Sequence, residues 1–286
     1  MHFPDKNETR IQDVNLEREE TEALDPRPEI EAKWAVLKEC LEALRKQKRW
    51  DSFATTAIIM KTLFPDWEKE LGLNAEVRNG LHNQLLHAIR SESPGVYDPT
   101  DRKTEILNVG SFFKQLFPKE LQAFTFDDDL IKELAAYAKS WLDIPEYEYA
   151  QRFLLLWPTK RNLLALDTRW DHLKRGYDGY REFIHLIVDV ELVALASANL
   201  RLLFPEHDAE IKLTPEELEI SHEKLQKGLT EWKDFHTMNM PTVYLCQTLT
   251  LASADRVWLD ETGIHYEFLP KEKPSKIPPP PTVRNF

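Results

Sequence analysis

The constraint that narrows the fold most is a shortage of glycine: 8 of 286 positions, roughly 3% where about 7% is usual. Phosphate-cradling folds need glycine where backbone meets ligand, and all-β folds need it at tight turns. Both classes become improbable. What remains is a chain whose apolar residues recur at helical spacing and whose 42% hydrophobic content supports a core of domain size.

The spacing predicts helices almost throughout. Ile30, Trp34, Leu37, Leu41 and Leu44 form one stripe. Asp51 is placed to cap a second helix carrying Phe53, Ala57, Met60 and Phe64. A third is expected from Ala75 to Arg90, a fourth through Ile106, Val109, Phe113 and Leu116, and a fifth capped by the acids at 127–129. Shorter helices are expected over 146–156 and 160–174, then a long central helix over 180–204. Thr214, Pro215 and Glu217 read as a capping box with proline at the first helical position, opening a helix over 215–236. Residues 242–251 fit helix or strand. Alternating residues around Asp260-Glu261-Thr262-Gly263 predict one β-hairpin near 256–268. The expected fold is mainly α, an irregular multi-helix bundle or stacked helix pairs with one C-terminal β-hairpin. One ordered body, 28–269, lies between an acidic arm, 1–27, and a proline-rich tail, 270–286, both expected to be disordered.

Leu63-Phe64-Pro65, Leu116-Phe117-Pro118, Leu156-Trp157-Pro158 and Leu203-Phe204-Pro205 each close a predicted helix. They start 53, 40 and 47 residues apart. These separations are irregular, nothing else aligns between the segments, and a proline that simply stops each helix accounts for the pattern. Degenerate stacked helix pairs are the alternative.

The chain carries 37 Lys and Arg against 49 Asp and Glu, a net charge of −12. That balance disfavours unaided binding to duplex DNA. No apolar run is long and uncharged enough to span a bilayer, no secretory signal is apparent, and Cys40 and Cys246 sit singly in apolar contexts that suit reduced thiols. The expected location is cytoplasmic, with no membrane partner.

Three functional readings follow. The leading one is a non-enzymatic interaction or adaptor protein binding a protein partner through a groove between helix pairs or through the basic aromatic segment 159–181. That segment holds Lys160, Arg161, Arg169, Trp170, Lys174, Arg175, Tyr177, Tyr180 and Arg181, and Gly176 and Gly179 within it suggest a loop with special backbone demands. The same cations and rings suit single-stranded nucleic acid, the third reading. The runner-up is a di-metal carboxylate enzyme holding an iron or manganese pair. Glu182/His185 and Glu219/His222 are Glu-x-x-His pairs, a spacing that puts carboxylate and imidazole on one helix face, and Asp189 extends the first. Under the leading reading there is no cofactor. No nucleophile elbow, zinc-protease helix, P-loop, dinucleotide fingerprint or Cys-x-x-Cys motif occurs.

Overall fold

The computed structural model of the chain describes residues 27–90, 99–142, 147–183, 190–232, 240–260 and 262–269. In order these form α1 (Arg27–Glu31), α2 (Trp34–Lys46), α3 (Trp50–Leu63), α4 (Ala75–Arg90), α5 (Pro99–Leu116), α6 (Pro118–Leu121), α7 (Asp128–Ser140), α8 (Glu148–Leu156), α9 (Trp170–Phe183), α10 (Val190–Leu203), α11 (Asp208–Ile211), α12 (Pro215–Glu231), α13 (Met240–Ser253), β1 (Arg256–Asp260) and β2 (Gly263–Glu267). The expected arm and tail lie outside the described residues, except that Arg27 already belongs to α1.

Five helix pairs organise the chain. α2 packs on α3, α4 on α5, α7 on α8, α9 on α10 and α12 on α13. The second member of each pair also packs against its counterparts: α3 on α5, α5 on α8, α8 on α10, α10 on α13, and α13 back on α3. Five inner helices thus close a ring, and five outer helices surround it. Apolar area between the two layers supplies most of the core, including Leu37, Leu81, Phe113, Phe153, Tyr177 and Leu225, each fully buried.

The Leu-aromatic-Pro segments prove to be more than helix stops. All four end inner helices, and the aromatic residue takes one backbone conformation in each: φ/ψ of −135/70° at Phe64, −139/59° at Phe117, −134/70° at Trp157 and −134/64° at Phe204. Its N–H closes the helix on the carbonyl four residues back, and its own carbonyl accepts from the N–H three residues on, opening the turn that proline begins. Counting back from the motif leucine, other positions align as well. Six before it stand Ala57, Gly110, Ala150 and Ser197; three before it stand Met60, Phe113, Phe153 and Leu200, all buried. In α13 Ala252 takes the leucine's place, with Cys246 and Leu249 in register. The segments do align, as stacked pairs closed on themselves.

Several local expectations are corrected. The first stripe is buried as predicted, but a turn at Ala32–Lys33 divides it between α1 and α2. Asp51 lies inside the first turn of α3 and Arg49 occupies the cap position. Residues 160–174 are not one helix: proline-initiated 3-10 turns follow Trp157, Ala165 adopts a left-handed φ of 52°, and α9 begins only at Trp170. Gly176 and Gly179 sit within α9, and a Cβ on either would meet nothing within 4 Å, so neither meets a backbone demand. Residues 242–251 are helix. Asp127 caps α7, and the Thr214–Glu217 capping box is formed, its helix ending at Glu231.

The hairpin forms as expected, with Val257 opposite Tyr266 and Leu259 opposite Ile264. Its apolar face packs with Ala198, Leu202, Leu251 and Ala254 at the C-terminal ends of α10 and α13, plugging that end of the ring. Among the described residues no helix is long and apolar enough to cross a membrane, and both cysteines are buried and outside any disulfide.

Candidate functional site

The ring encloses a cavity of about 100 Å³. Every inner helix lines it from at least three of the same four positions, counted from the motif leucine or its equivalent: one, four, five and eight residues back. α5 gives Ser111, Phe112 and Gln115; α8 gives Glu148, Gln151, Arg152 and Leu155; α13 gives Tyr244, Gln247, Thr248 and Leu251. α3 contributes Thr55, Ile58 and Ile59, and α10 contributes Leu195, Ala198 and Asn199. These offsets follow from 3.6 residues per turn: they share one face, directed at the ring axis.

That face mixes polar with apolar side chains. Ser111, Gln115, Gln151, Asn199 and Thr248 are all buried. Gln151 Nε2 donates to Asn199 Oδ1 at 2.6 Å, and Asn199, only 5% exposed, keeps its Nδ2 without an acceptor among the described residues. Ser111 Oγ donates to the Asn108 carbonyl and Gln115 Nε2 to the Ser111 carbonyl, so these side chains also brace α5.

At the N-terminal ends of the inner helices the cavity meets an open cleft of about 720 Å³, the two sharing Thr55, Phe112, Arg152 and Tyr244. Asp51 and Ser52 of α3, Gln84 of α4, and Thr104, Glu105 and Asn108 of α5 complete its walls. Arg152 donates to Asn108 Oδ1 and pairs with Glu148 at 3.3 Å, and its guanidinium lies 5.9 Å from the Phe112 ring centre and 5.6 Å from that of Tyr149. Burial pushes the Asp51 carboxyl up, partly offset by a hydrogen bond from Gln84. Burial also raises the Tyr244 phenol, against a hydrogen bond with Thr55 that lowers it.

The basic aromatic segment is spread over the outer layer and largely engaged there. Arg161 donates to the Leu203 carbonyl at 2.6 Å, Lys174 pairs with Asp178 at 2.6 Å, and Arg181 grips Glu217 through two bonds of 2.6 and 2.8 Å. Lys160 stands 3.6 Å from Asp128, and the exposed Arg175 bonds the Asp171 carbonyl. Tyr177 is fully buried with its hydroxyl on the Ile211 carbonyl, Trp170 stacks on His207 at 3.9 Å, Tyr180 packs against the core, and Arg169 is partly buried with a partner of its own. Arg181, Tyr177 and Trp170 tie α9 to residues beyond it, Lys174 and Arg175 make contacts within α9, and Arg175 and Tyr180 line one pocket of about 290 Å³.

Of the Glu-x-x-His pairs, Glu182 is exposed at the end of α9, and Glu219 is exposed on α12 with His222 partly buried. His185 and Asp189 lie outside the described residues. Among the described residues no group of three or more His, Cys, Asp or Glu side chains is placed to hold a metal ion.

Sequence reasoning passed over the ring residues. The available signal was the carboxamide pair Gln151 and Asn199 inside leucine-rich helices. Compared with known proteins, the chain matches no family model, no curated protein and no solved structure.

Proposed function

We propose that this chain is a non-enzymatic interaction protein that receives a side chain of a protein partner in the cleft at the open end of its helix ring. The observation that carries this reading is the set of buried polar groups on the inward face, Ser111, Gln115, Gln151, Asn199 and Thr248. Burying carboxamides costs free energy unless each group finds a partner. A ring serving only as scaffold would be filled with apolar side chains, whereas here polar groups line a space that opens to the surface. A non-enzymatic role is supported by how the lining groups are used. The Ser111 hydroxyl is committed to a backbone carbonyl and Arg152 to Asn108 and Glu148.

The test uses peptide display against the whole chain, followed by two variants that fill the mouth, Thr55→Trp and Asn108→Trp. Peptides selected on the unmodified protein are expected to lose at least tenfold in affinity for a variant that keeps its helical circular dichroism and cooperative melting. Selected peptides that bind both folded variants as tightly as the unmodified protein would overturn the reading.

A further inference from the structure

The pocket beside α9 shares no residue with the central cavity or the cleft. Leu142 follows α7, Tyr147 immediately precedes α8, and Leu173, Arg175, Gly176 and Tyr180 belong to α9. Its floor is buried: Leu142, Tyr147 and Leu173 are each at most 2% exposed. Arg175 and His172, both exposed, stand at its rim.

Tyr147 sets the chemistry of that floor. Its hydroxyl has no hydrogen-bond partner among the described residues, yet it is not one of the buried polar atoms closed off from solvent. A phenol this buried is costly to leave without a partner, and the pocket it lines is the opening from which one can come. Burial, with the neighbouring Tyr180 and Tyr177 phenols, pushes its pKa up, so at neutral pH it is a proton donor. The partly buried Tyr180 also leaves its hydroxyl without a partner among the described residues. Arg175 uses Nε on the Asp171 carbonyl, and its two terminal nitrogens bond nothing among the described residues. No Asp or Glu is among the described residues that line the pocket.

Gly176 keeps the space open. Glycine weakens a helix relative to alanine, and a Cβ at this position would meet nothing within 4 Å, because the pocket adjoins it. The site therefore offers hydroxyl donors and a fixed positive charge beside apolar walls, in a volume that suits a small molecule.

We propose that this pocket binds a small organic acid, its carboxylate accepting from the Tyr147 hydroxyl and its apolar body lying against Leu142 and Leu173. In a space of about 290 Å³ the Arg175 charge acts on that carboxylate without needing to touch it. A phosphate dianion would need more than one cation to offset its lost hydration, and acetate would leave the apolar wall uncovered.

The experiment titrates the whole chain with benzoate, its neutral isostere benzamide and acetate, followed by calorimetry and by the backbone amide signals of Arg175 and Tyr180 in a nitrogen-edited NMR spectrum. Saturable shifts are expected for benzoate, with much weaker ones for benzamide and acetate. Tyr147→Phe removes a hydroxyl that bonds nothing in the fold, so it should keep the melting temperature while weakening benzoate at least fivefold. Gly176→Leu fills the pocket from a position where a side chain meets no neighbour, and it should abolish binding in a protein of unchanged circular dichroism. Gly179→Leu, on the same helix but outside the pocket, should bind benzoate as the unmodified protein does. Benzamide binding as tightly as benzoate, unchanged benzoate affinity in folded Tyr147→Phe or Gly176→Leu, or no saturable benzoate shift up to about 10 mM would overturn the proposal. None of these outcomes bears on the cleft, whose test variants at Thr55 and Asn108 lie outside this pocket.

Discussion

Arg201 of α10 donates through Nη1 to the Leu251 carbonyl at 2.6 Å, tying the last turn of the neighbouring inner helix α13. The same guanidinium holds the Ala252 and Ala254 carbonyls at 2.8 and 2.7 Å and the Asp208 carboxylate at 2.5 Å. α13 is the inner helix without the Leu-aromatic-Pro ending, and a cation from its neighbour satisfies the carbonyls that its end leaves open. Lys61 does a related task on the Gln115 carbonyl of α5, and Arg161 on the Leu203 carbonyl of α10.

Removing the Arg201 guanidinium leaves buried carbonyls without their donor and Asp208 with only Lys212, 3.5 Å away. Arg201 is fully buried, so Arg201→Met is expected to destabilise the fold by about 3–5 kcal/mol, the range for breaking one partner of a buried charged network. Urea unfolding checks this. Arg201→Lys, which keeps the charge but not the fork, should recover only part of the loss, and a loss under about 1 kcal/mol in Arg201→Met would refute the capping role.

The glycines of the outer helices divide into two kinds with opposite expected responses. A Cβ at Gly80 would lie 2.4 Å from the Trp50 indole, and one at Gly228 would lie 2.4 Å from the Thr242 hydroxyl, both across a contact between outer and inner helix. Gly80→Ala and Gly228→Ala should each cost about 1–3 kcal/mol through overpacking. At Gly176 and Gly179 the same methyl enters open space within α9, and alanine should stabilise by about 0.5–1 kcal/mol. Thermal melts of the four single variants separate the sets, and a stabilising Gly80→Ala would deny the close approach of α4 to α3.

The pattern of what was readable follows from the physics of each signal. Helical stripes were legible because burial imposes a 3.6 period that Leu37 or Phe113 cannot escape. The Thr214–Glu217 box and the Asp127 cap were legible because their chemistry is local. The repeat was hidden because outer helices and connections differ in length, and because the inward positions differ in chemistry: Thr55, Asn108, Glu148, Leu195 and Tyr244 share one place in the ring. Only the small residue six before the motif leucine and the large one three before it persist. The basic segment drew attention for the opposite reason. Sequence displays the charge of Arg161 or Arg181 but not its partner, and the partners, the Leu203 carbonyl and Glu217, lie 42 and 36 residues away.

The two thiols should be unreactive in the folded chain. Burial pushes the Cys40 thiol up to about 11, only partly countered by the positive charge of Arg49, so at pH 8 very little thiolate is present to attack a reagent. Cys246 is fully buried on the inner helix α13. A disulfide reagent added at pH 8 is expected to titrate neither thiol until urea unfolds the protein, when both react. Rapid modification of Cys40 in folded protein would contradict its placement.

Acid sensitivity of the hairpin is set by Asp260. Partial burial raises its pKa, but hydrogen bonds from the Thr262 hydroxyl and backbone N–H and from His265, with the imidazole's charge, outweigh that and bring it to about 2. The distances are 2.6 Å to Thr262 Oγ1, 2.7 Å to Thr262 N and 3.1 Å to His265 Nε2. An unperturbed aspartate titrates near ~3.9. Since the folded value lies below the unfolded one, the stabilisation from Asp260 is complete above pH ~4 and is lost as pH falls through about 2. The amide proton of Thr262, bonded to Asp260 Oδ1, reports this directly. Its chemical shift should hold steady through pH 4 and move with a midpoint near 2, and Asp260→Asn should abolish the movement. A midpoint near 4 in folded protein would mean that the hydrogen bonds at the hairpin turn do not hold the carboxylate.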